Sequence, residues 1–324
     1  MEIQKIKWGI IGLGNIANQF AADLQLLKDA ELVAVASRNK DNANAFAQKY
    51  NCAKAYDSYD ALFADENVDI IYIATPHNSH AELSIKALEN GKHVLCEKPI
   101  ALSYEDAVRM TEASKKHNNF FMEAFWTRFI PSVQDALAKV KNGEIGAIKY
   151  LKADFNFIGN ETPGSRLFDK QSGGGALFDV GVYPLFLSYI MCGIPNEIFA
   201  KSIFHENGID LQTSIILQYE NAQATLHTSI VSESDMKAII AGTKGRIELN
   251  APWFMTDGYS IVKEEKETTF SFLNLGKGYS HEAIECHNCI RNNEIESKLW
   301  SHQNSLDLSK IVDEIKNQVG LSFT

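Results

Sequence analysis

Ile6-Lys7-Trp8-Gly9-Ile10-Ile11-Gly12-Leu13-Gly14-Asn15-Ile16-Ala17 is the stretch whose reading decides the fold. Its first half is a short apolar run suited to a buried strand, and the run ends at glycines. Residues 16–27 then switch to helical spacing, with Ile16, Phe20, Leu24 and Leu27 able to share one face. Between strand and helix lies Gly-x-Gly-x-x-Ala. Gly12 permits a tight turn, Gly14 lets backbone amides approach a pyrophosphate, and Ala17 allows close helix–strand contact. Asn15 and Ile16 open the helix, whose N-terminus favours phosphate charge. Standing alone, the pattern also describes an ordinary glycine-rich turn. Its place in the first of several strand–helix units points to dinucleotide binding.

The alternation continues downstream. Residues 32–36 read as a second strand, 41–50 as an Ala-rich helix, 68–74 as a third strand and 80–90 as a helix stopped by Gly91. Residues 93–96 follow as a short strand, 105–116 as a helix and 119–122 as a strand. Apolar strands without polar alternation need cover on both faces, which predicts an α/β, doubly wound Rossmann sheet. Ligands of such sheets gather at the C-terminal strand ends. That rule selects Gly12–Gly14, Ser37-Arg38, residues 75–80 and Glu97-Lys98-Pro99. Where NAD sites usually place an acid, the second strand ends in Ser37-Arg38. Ser37 can donate to a 2'-phosphate and Arg38 can pair with it, so NADP is expected ahead of NAD. The plain alternative for Arg38 is a solvated residue at a helix start.

A length of 324 residues accommodates two domains, and 45% hydrophobic with 22% charged residues is ordinary for a folded chain. A net charge of -10 without a dense Lys/Arg run argues against nucleic acid. No run of about 18 uncharged apolar residues suggests a membrane span, and no signal peptide is expected. Five scattered cysteines fit a reducing compartment, so the expected setting is cytoplasmic. His281, Glu282, Cys286, His287 and Cys289 cluster, but without HExxH or a second CxxC; no metal is expected.

Gly12–Ala17, Thr75-Pro76-His77-Asn78-Ser79-His80 and Glu97-Lys98-Pro99 occur in order. They are followed by Glu123-Ala124-Phe125-Trp126-Thr127-Arg128-Phe129 and by residues 173–184, GGGALFDVGVYP. This ordered set resembles the glucose–fructose oxidoreductase / inositol dehydrogenase family over nearly the whole chain. It is nearest the dimeric dihydrodiol dehydrogenase and NADP-linked D-xylose dehydrogenase branch. The resemblance implies a Rossmann domain over 1–123 and, over 124–324, a C-terminal α/β domain with a large, open, mostly antiparallel sheet. That sheet's outer face is often used for dimerisation, so a homodimer or higher homo-oligomer is implied. Residues 147–157, 197–204, 213–219, 222–230 and 236–241 are suitable strands, and 279–291 and 302–319 suitable helices. Residues 263–267 read as a solvated turn or edge strand.

The implied activity is hydride transfer between nicotinamide and a sugar, cyclic polyol or trans-dihydrodiol hydroxyl. The resemblance makes Lys98 and Tyr183 the central pair, with Asp179 nearby. Lys98 would polarise the hydroxyl and ease ionisation of Tyr183, while Asp179 would orient the hydroxyl or Lys98. For Asp179 a structural helix cap remains open, and for Tyr183 a core tyrosine. The wider family often has histidine at the Tyr183 position, so the tyrosine weighs against an inositol dehydrogenase. Thr75, Pro76, Asn78, His80 and Glu97 would line the cofactor cleft. Trp126 and Arg128 belong either to the cofactor and substrate wall or to packing. Phe157 and Arg166 could meet substrate. The same residues could reduce a keto sugar or dicarbonyl, and a non-catalytic regulatory protein is the reading from a different class.

Overall fold

The structure, a computed structural model, describes residues 4–162 and 164–323. They divide into two compact units: the chain up to Phe129 with Leu275–Leu306, and Ile130–Asn274 with the chain from Asp307 onward.

The first unit opens with β1 (Ile6–Ile11), α1 (Asn15–Leu24), β2 (Ala30–Ala36), α2 (Lys40–Lys49), β3 (Lys54–Tyr56) and α3 (Tyr59–Phe63). It continues through β4 (Ile70–Ile73), α4 (His80–Glu89), β5 (His93–Glu97), α5 (Tyr104–His117) and β6 (Phe121–Ala124). The strands pair in parallel in the order β3-β2-β1-β4-β5-β6, so the order reverses between β1 and β4. Every residue of β4 and β6 is buried, because helices cover both faces. Side chains set the helix limits. Asn39 caps α2 by accepting the Asp41 and Asn42 amides, Ser103 caps α5 through the Asp106 amide, and Asn118 at φ 53° ends α5. Helix α1 stops at Leu24, short of the apolar spacing that runs on to Leu27. The unanticipated β3 and α3 span three and five residues, too few to show a period.

The second unit holds α6 (Pro131–Lys141), β7 (Ile148–Asn156), α7 (Val182–Cys192), β8 (Glu197–Phe204), β9 (Asp210–Gln218) and β10 (Gln223–Ser229). It ends with β11 (Ala238–Gly242), β12 (Gly245–Leu249), β13 (Gly258–Lys263) and β14 (Lys266–Ser271). Among the described residues these form one eight-stranded sheet, order β14-β13-β12-β11-β7-β10-β9-β8. Only β7 and β10 run parallel; the other neighbours are antiparallel. The expected mostly antiparallel sheet is therefore present, with more strands than the alternation revealed. Glu264 and Glu265, both at positive φ, turn the β13–β14 hairpin, and β14 is an edge strand. Along β9 burial alternates, Thr213, Ile215 and Leu217 inward and Ser214 and Ile216 outward. Helix α7 packs on β7 and β10. By length and composition alone residues 170–192 could cross a membrane, but 72% of the stretch's most apolar window is buried, as in a core helix.

Helices α8 (Tyr279–Arg291) and α9 (His302–Val319) complete the chain. A boundary near residue 123 assigns α8 to the second domain, whereas it packs within the first unit, on α1. Asp23 of α1 accepts the amides of Lys277 (2.9 Å), Gly278 (3.0 Å) and Tyr279 (2.9 Å) at the start of α8. Trp8 Nε1 donates to His287 Nε2 at 2.9 Å, and Arg291 pairs with Asp29 at 2.8 Å. These bonds join residues more than 250 positions apart, which no local pattern displays.

Candidate active site

At the β1–α1 turn Gly12 has φ +80°, and a Cβ there would stand 2.4 Å from the Ala74 carbonyl. Only glycine fits so close a crossing. Gly14 caps α1 without a side-chain bond, and a Cβ on it would meet no protein atom within 4 Å. The first amides of α1 are thus open to an anion, and the turn fits a dinucleotide pyrophosphate. Asn15 is exposed and Ile16 half-buried beside it. At the end of β2, Ser37 Oγ accepts the Asn39 amide at 3.2 Å. Arg38 is exposed and forms no ion pair among the described residues.

The 75–80 and 97–100 segments are tied together by buried polar groups. His80 is fully buried, with Nδ1 2.9 Å from the Pro99 carbonyl and Nε2 2.8 Å from that of Thr75. Ser79 Oγ donates to Thr75 Oγ1 at 2.8 Å, His77 is buried edge-on to His80, and Asn78 is exposed. The Lys98–Pro99 peptide is cis. Lys98 is half-buried; the acid before it, Glu97, is buried, and the buried Glu123 feels the Lys98 charge. Glu97 accepts from the Tyr72 hydroxyl and, at 3.2 Å, from the Lys98 amide. Tyr72 stacks on Phe20 at 3.9 Å, and burial with the Glu97 charge holds its phenol well above the ordinary range.

Glu282 is fully buried, and neither carboxylate oxygen has a hydrogen-bond partner among the described residues. Burial, with Glu97 and Asp23 adding like charge, keeps this carboxyl protonated far above the usual carboxylate range. Trp126 is buried with its ring 4.7 Å from that of Tyr279. Arg128 donates from Nε to the Leu299 carbonyl at 2.9 Å; burial lowers its pKa against the opposing charge of Glu285. Glu123, which the sequence reading leaves without a role, accepts the Ile100 amide at 2.8 Å. An acid inside the otherwise apolar strand β6 was the signal that could have found it.

In the second unit Tyr183 lies in the first turn of α7, 5% exposed, its ring 5.3 Å from Phe155 and 5.5 Å from Phe254. Phe155 and Phe254 are themselves stacked at 4.0 Å. Asp179 lies in the π-helical turn Leu177–Gly181 that leads into α7, and Arg166 pairs with it at 2.5 Å. Phe157 packs with Phe155, Leu167 and Phe168 around Val180 and Ile230. Asp210, also missed, holds the start of this helical run. Its Oδ2 accepts the Leu177 amide at 2.8 Å and the Thr213 hydroxyl at 2.7 Å, and burial pushes its pKa up to about 6. Gly175, at φ +115°, lies so close that a Cβ would reach 2.4 Å from Asp210 Oδ1.

The oxidoreductase family GFO/IDH/MocA, NAD-binding Rossmann fold, matches residues 6–125, and the GFO/IDH/MocA C-terminal domain matches residues 133–248. The chain is 36% identical to trans-1,2-dihydrobenzene-1,2-diol dehydrogenase of Xenopus tropicalis, over 98% of this chain and 99% of that protein. It is 34% identical to the mouse protein of that name, over 98% of each. Among solved structures it is similar to a 3-ketoreductase of Actinomadura kijaniata in complex with NADP and TDP-benzene, TM-score 0.87, 24% identity, 98% of each chain. An aldose-aldose oxidoreductase of Caulobacter crescentus superposes with TM-score 0.89 at 19% identity, 98% of each chain.

Proposed function

We propose, from the premise that the chain belongs to the GFO/IDH/MocA oxidoreductase family, that this NAD(P)-dependent oxidoreductase acts on a trans-dihydrodiol or a related cyclic hydroxyl compound and prefers NADP. The observation that carries the substrate reading is the aromatic wall of Phe155 and Phe254 around Tyr183. A carbocyclic ring leaves its apolar face against such a wall, whereas a fully hydroxylated sugar would leave hydroxyls without partners there. The preference for NADP rests on Ser37 and Arg38, which offer a donor and a cation and no acid at the end of β2.

A bound nicotinamide supplies the hydride acceptor. Gly12, Gly14 and the N-terminus of α1 would hold its pyrophosphate, and Thr75, Asn78, Glu97 and Lys98 line the ends of the neighbouring strands. Lys98 as ammonium draws electron density from the substrate hydroxyl, and Tyr183, ionised to its phenolate, takes that hydroxyl's proton. Asp179, neutralised in part by Arg166, orients the reacting group. We extend the proposal to a homodimer formed through the open face of the second sheet. Phe199 (54% exposed) and Ile216 (46%) are directly paired across β8 and β9 there, with Ile203 beyond them. We also propose a cytoplasmic setting, a reading that the few, scattered cysteines of the sequence support.

The test is absorbance of reduced nicotinamide with purified protein, NADP or NAD, and a panel of trans-dihydrodiols, D-xylose, D-glucose and myo-inositol. Turnover with dihydrodiols and NADP is expected. Turnover confined to NADPH with dicarbonyls or keto sugars would reverse the direction, and cofactor binding without turnover on any of these would favour the regulatory reading.

A further inference from the structure

Lys98 has no helix or long strand to hold it; it sits in a turn just past the end of β5. Two backbone groups of this turn are bound by buried ionisable side chains from other elements. His80 of α4 holds the Pro99 carbonyl at 2.9 Å. Glu123 of β6 accepts the Ile100 amide at 2.8 Å, only two residues beyond the lysine. Glu123 pairs with Cys96 in the parallel register of β5 and β6, so its side chain shares a sheet face with Cys96, one strand over from the turn.

We infer that Glu123 is the positioning residue of Lys98: it anchors the turn that carries the lysine and presents a buried carboxylate to its ammonium group. The inference rests on the reading of Lys98 as the polarising cation. Glu123 is 2% exposed, and a carboxylate at such a site is retained only with partners. It has three donors: the Ile100 amide, Ser305 Oγ at 2.7 Å and Trp300 Nε1 at 3.2 Å. The charge of Lys98 adds to them, and the balance against burial leaves the carboxyl at about 7. A structural need for the Ile100 amide alone would be met by a neutral acceptor. The ionisable group is what lets the site set the charge beside the lysine.

The other titratable groups about Glu123 are accounted for within the first unit. Cys96 of β5 is a buried thiol pushed far above its ordinary range. Glu97 is bound to Tyr72, and it belongs to the opposite sheet face. His80 is engaged by the two backbone carbonyls already named. His302 of α9 places Nε2 3.0 Å from the Phe121 carbonyl, with Glu296 3.7 Å from its Nδ1. Of these, Lys98 supplies the positive charge that stabilises the Glu123 carboxylate.

The test reads Lys98 itself. Full-length protein is treated briefly with acetic anhydride across a pH series, and acetylation of Lys98 is followed by peptide mass spectrometry. In Glu123→Gln the carboxamide can still accept the Ile100 amide but carries no charge, so the midpoint for Lys98 is expected to fall by about one unit. An unchanged midpoint in a folded Glu123→Gln protein overturns the inference. Should that variant fail to fold, Lys98→Met is read instead: without the lysine charge the Glu123 carboxyl, followed by isotope-edited NMR, is expected to titrate about one unit higher than in the unaltered protein, and an unchanged value overturns the inference. Lys98→Met separates this from the functional reading. If that variant turns over normally while the acetylation midpoint still moves in Glu123→Gln, the catalytic role of Lys98 fails and the positioning by Glu123 stands.

Discussion

Tyr183 is nearly buried among rings, so its phenol oxygen is the one polar atom it brings to that wall. Tyr183→Phe keeps the ring and deletes the oxygen, and is expected to lower kcat by about 100-fold or more while NADP still quenches protein fluorescence at the same concentration. A near-normal kcat would return Tyr183 to the core. Arg38 stands in solvent, and the proposal gives it a charge-assisted bond to the 2'-phosphate of NADP. Arg38→Ala is therefore expected to weaken NADP binding about tenfold and leave NAD within about twofold. Equal losses for both cofactors would remove the 2'-phosphate argument. Residue identity was readable in the sequence for both side chains. What it did not display is Glu123 and Asp210, because an acid's burial and its donors come from distant strands. Lys98 stood out as a site candidate, whereas the clamp of His80 and Glu123 on its turn did not.

At the scale of elements, the run from Leu177 through α7 depends on a carboxylate outside it. Asp210 at the start of β9 caps the Leu177 amide and also holds Thr213. Asp210→Ala is expected to lower stability by about 1–3 kcal/mol, measured as the urea midpoint, since it strands two buried donors. The pH response separates charge from shape. The ordinary aspartate value is 3.8, and in the folded chain Asp210 titrates at about 6. The folded state thus keeps a proton that the unfolded chain has released, and stability falls as pH rises from about 4 to 6. Against Asp210→Asn, which has no such proton, wild type should lose up to about 3 kcal/mol over that window. A constant difference between the two would mean that Asp210 is not shifted. Elements with a long period were legible in the sequence: the β1–α1 unit, α4, α5, α8 and α9. Short β3 and α3 were not, nor were β12 and β13, whose partners rather than their own patterns make them strands.

At the scale of the whole chain, the outward face of the second sheet carries apolar side chains that the fold does not cover. Phe199→Glu places a charge in that row, beside Ile216 on the paired strand. It is expected to convert a dimer to a monomer in light scattering after size exclusion, with the thermal midpoint of each chain shifted little because the residue is already exposed. A wild-type monomer at the same concentration would sink the dimer proposal. The sequence by itself determined the parallel Rossmann sheet, the glycine turn, the family and the oxidoreductase class. Each of these is written in local spacing or in the order of short motifs, and both survive without knowledge of contacts. The tertiary structure alone decided that α8 belongs with the first unit, through Asp23, Trp8 and Asp29. It alone showed Glu97 as a buried acid, and Glu123, Glu282 and Asp210 as buried acids with displaced proton affinities. The reason is physical: a carboxyl's charge state depends on the water it loses and the donors it gains, and both are set by residues far away along the chain.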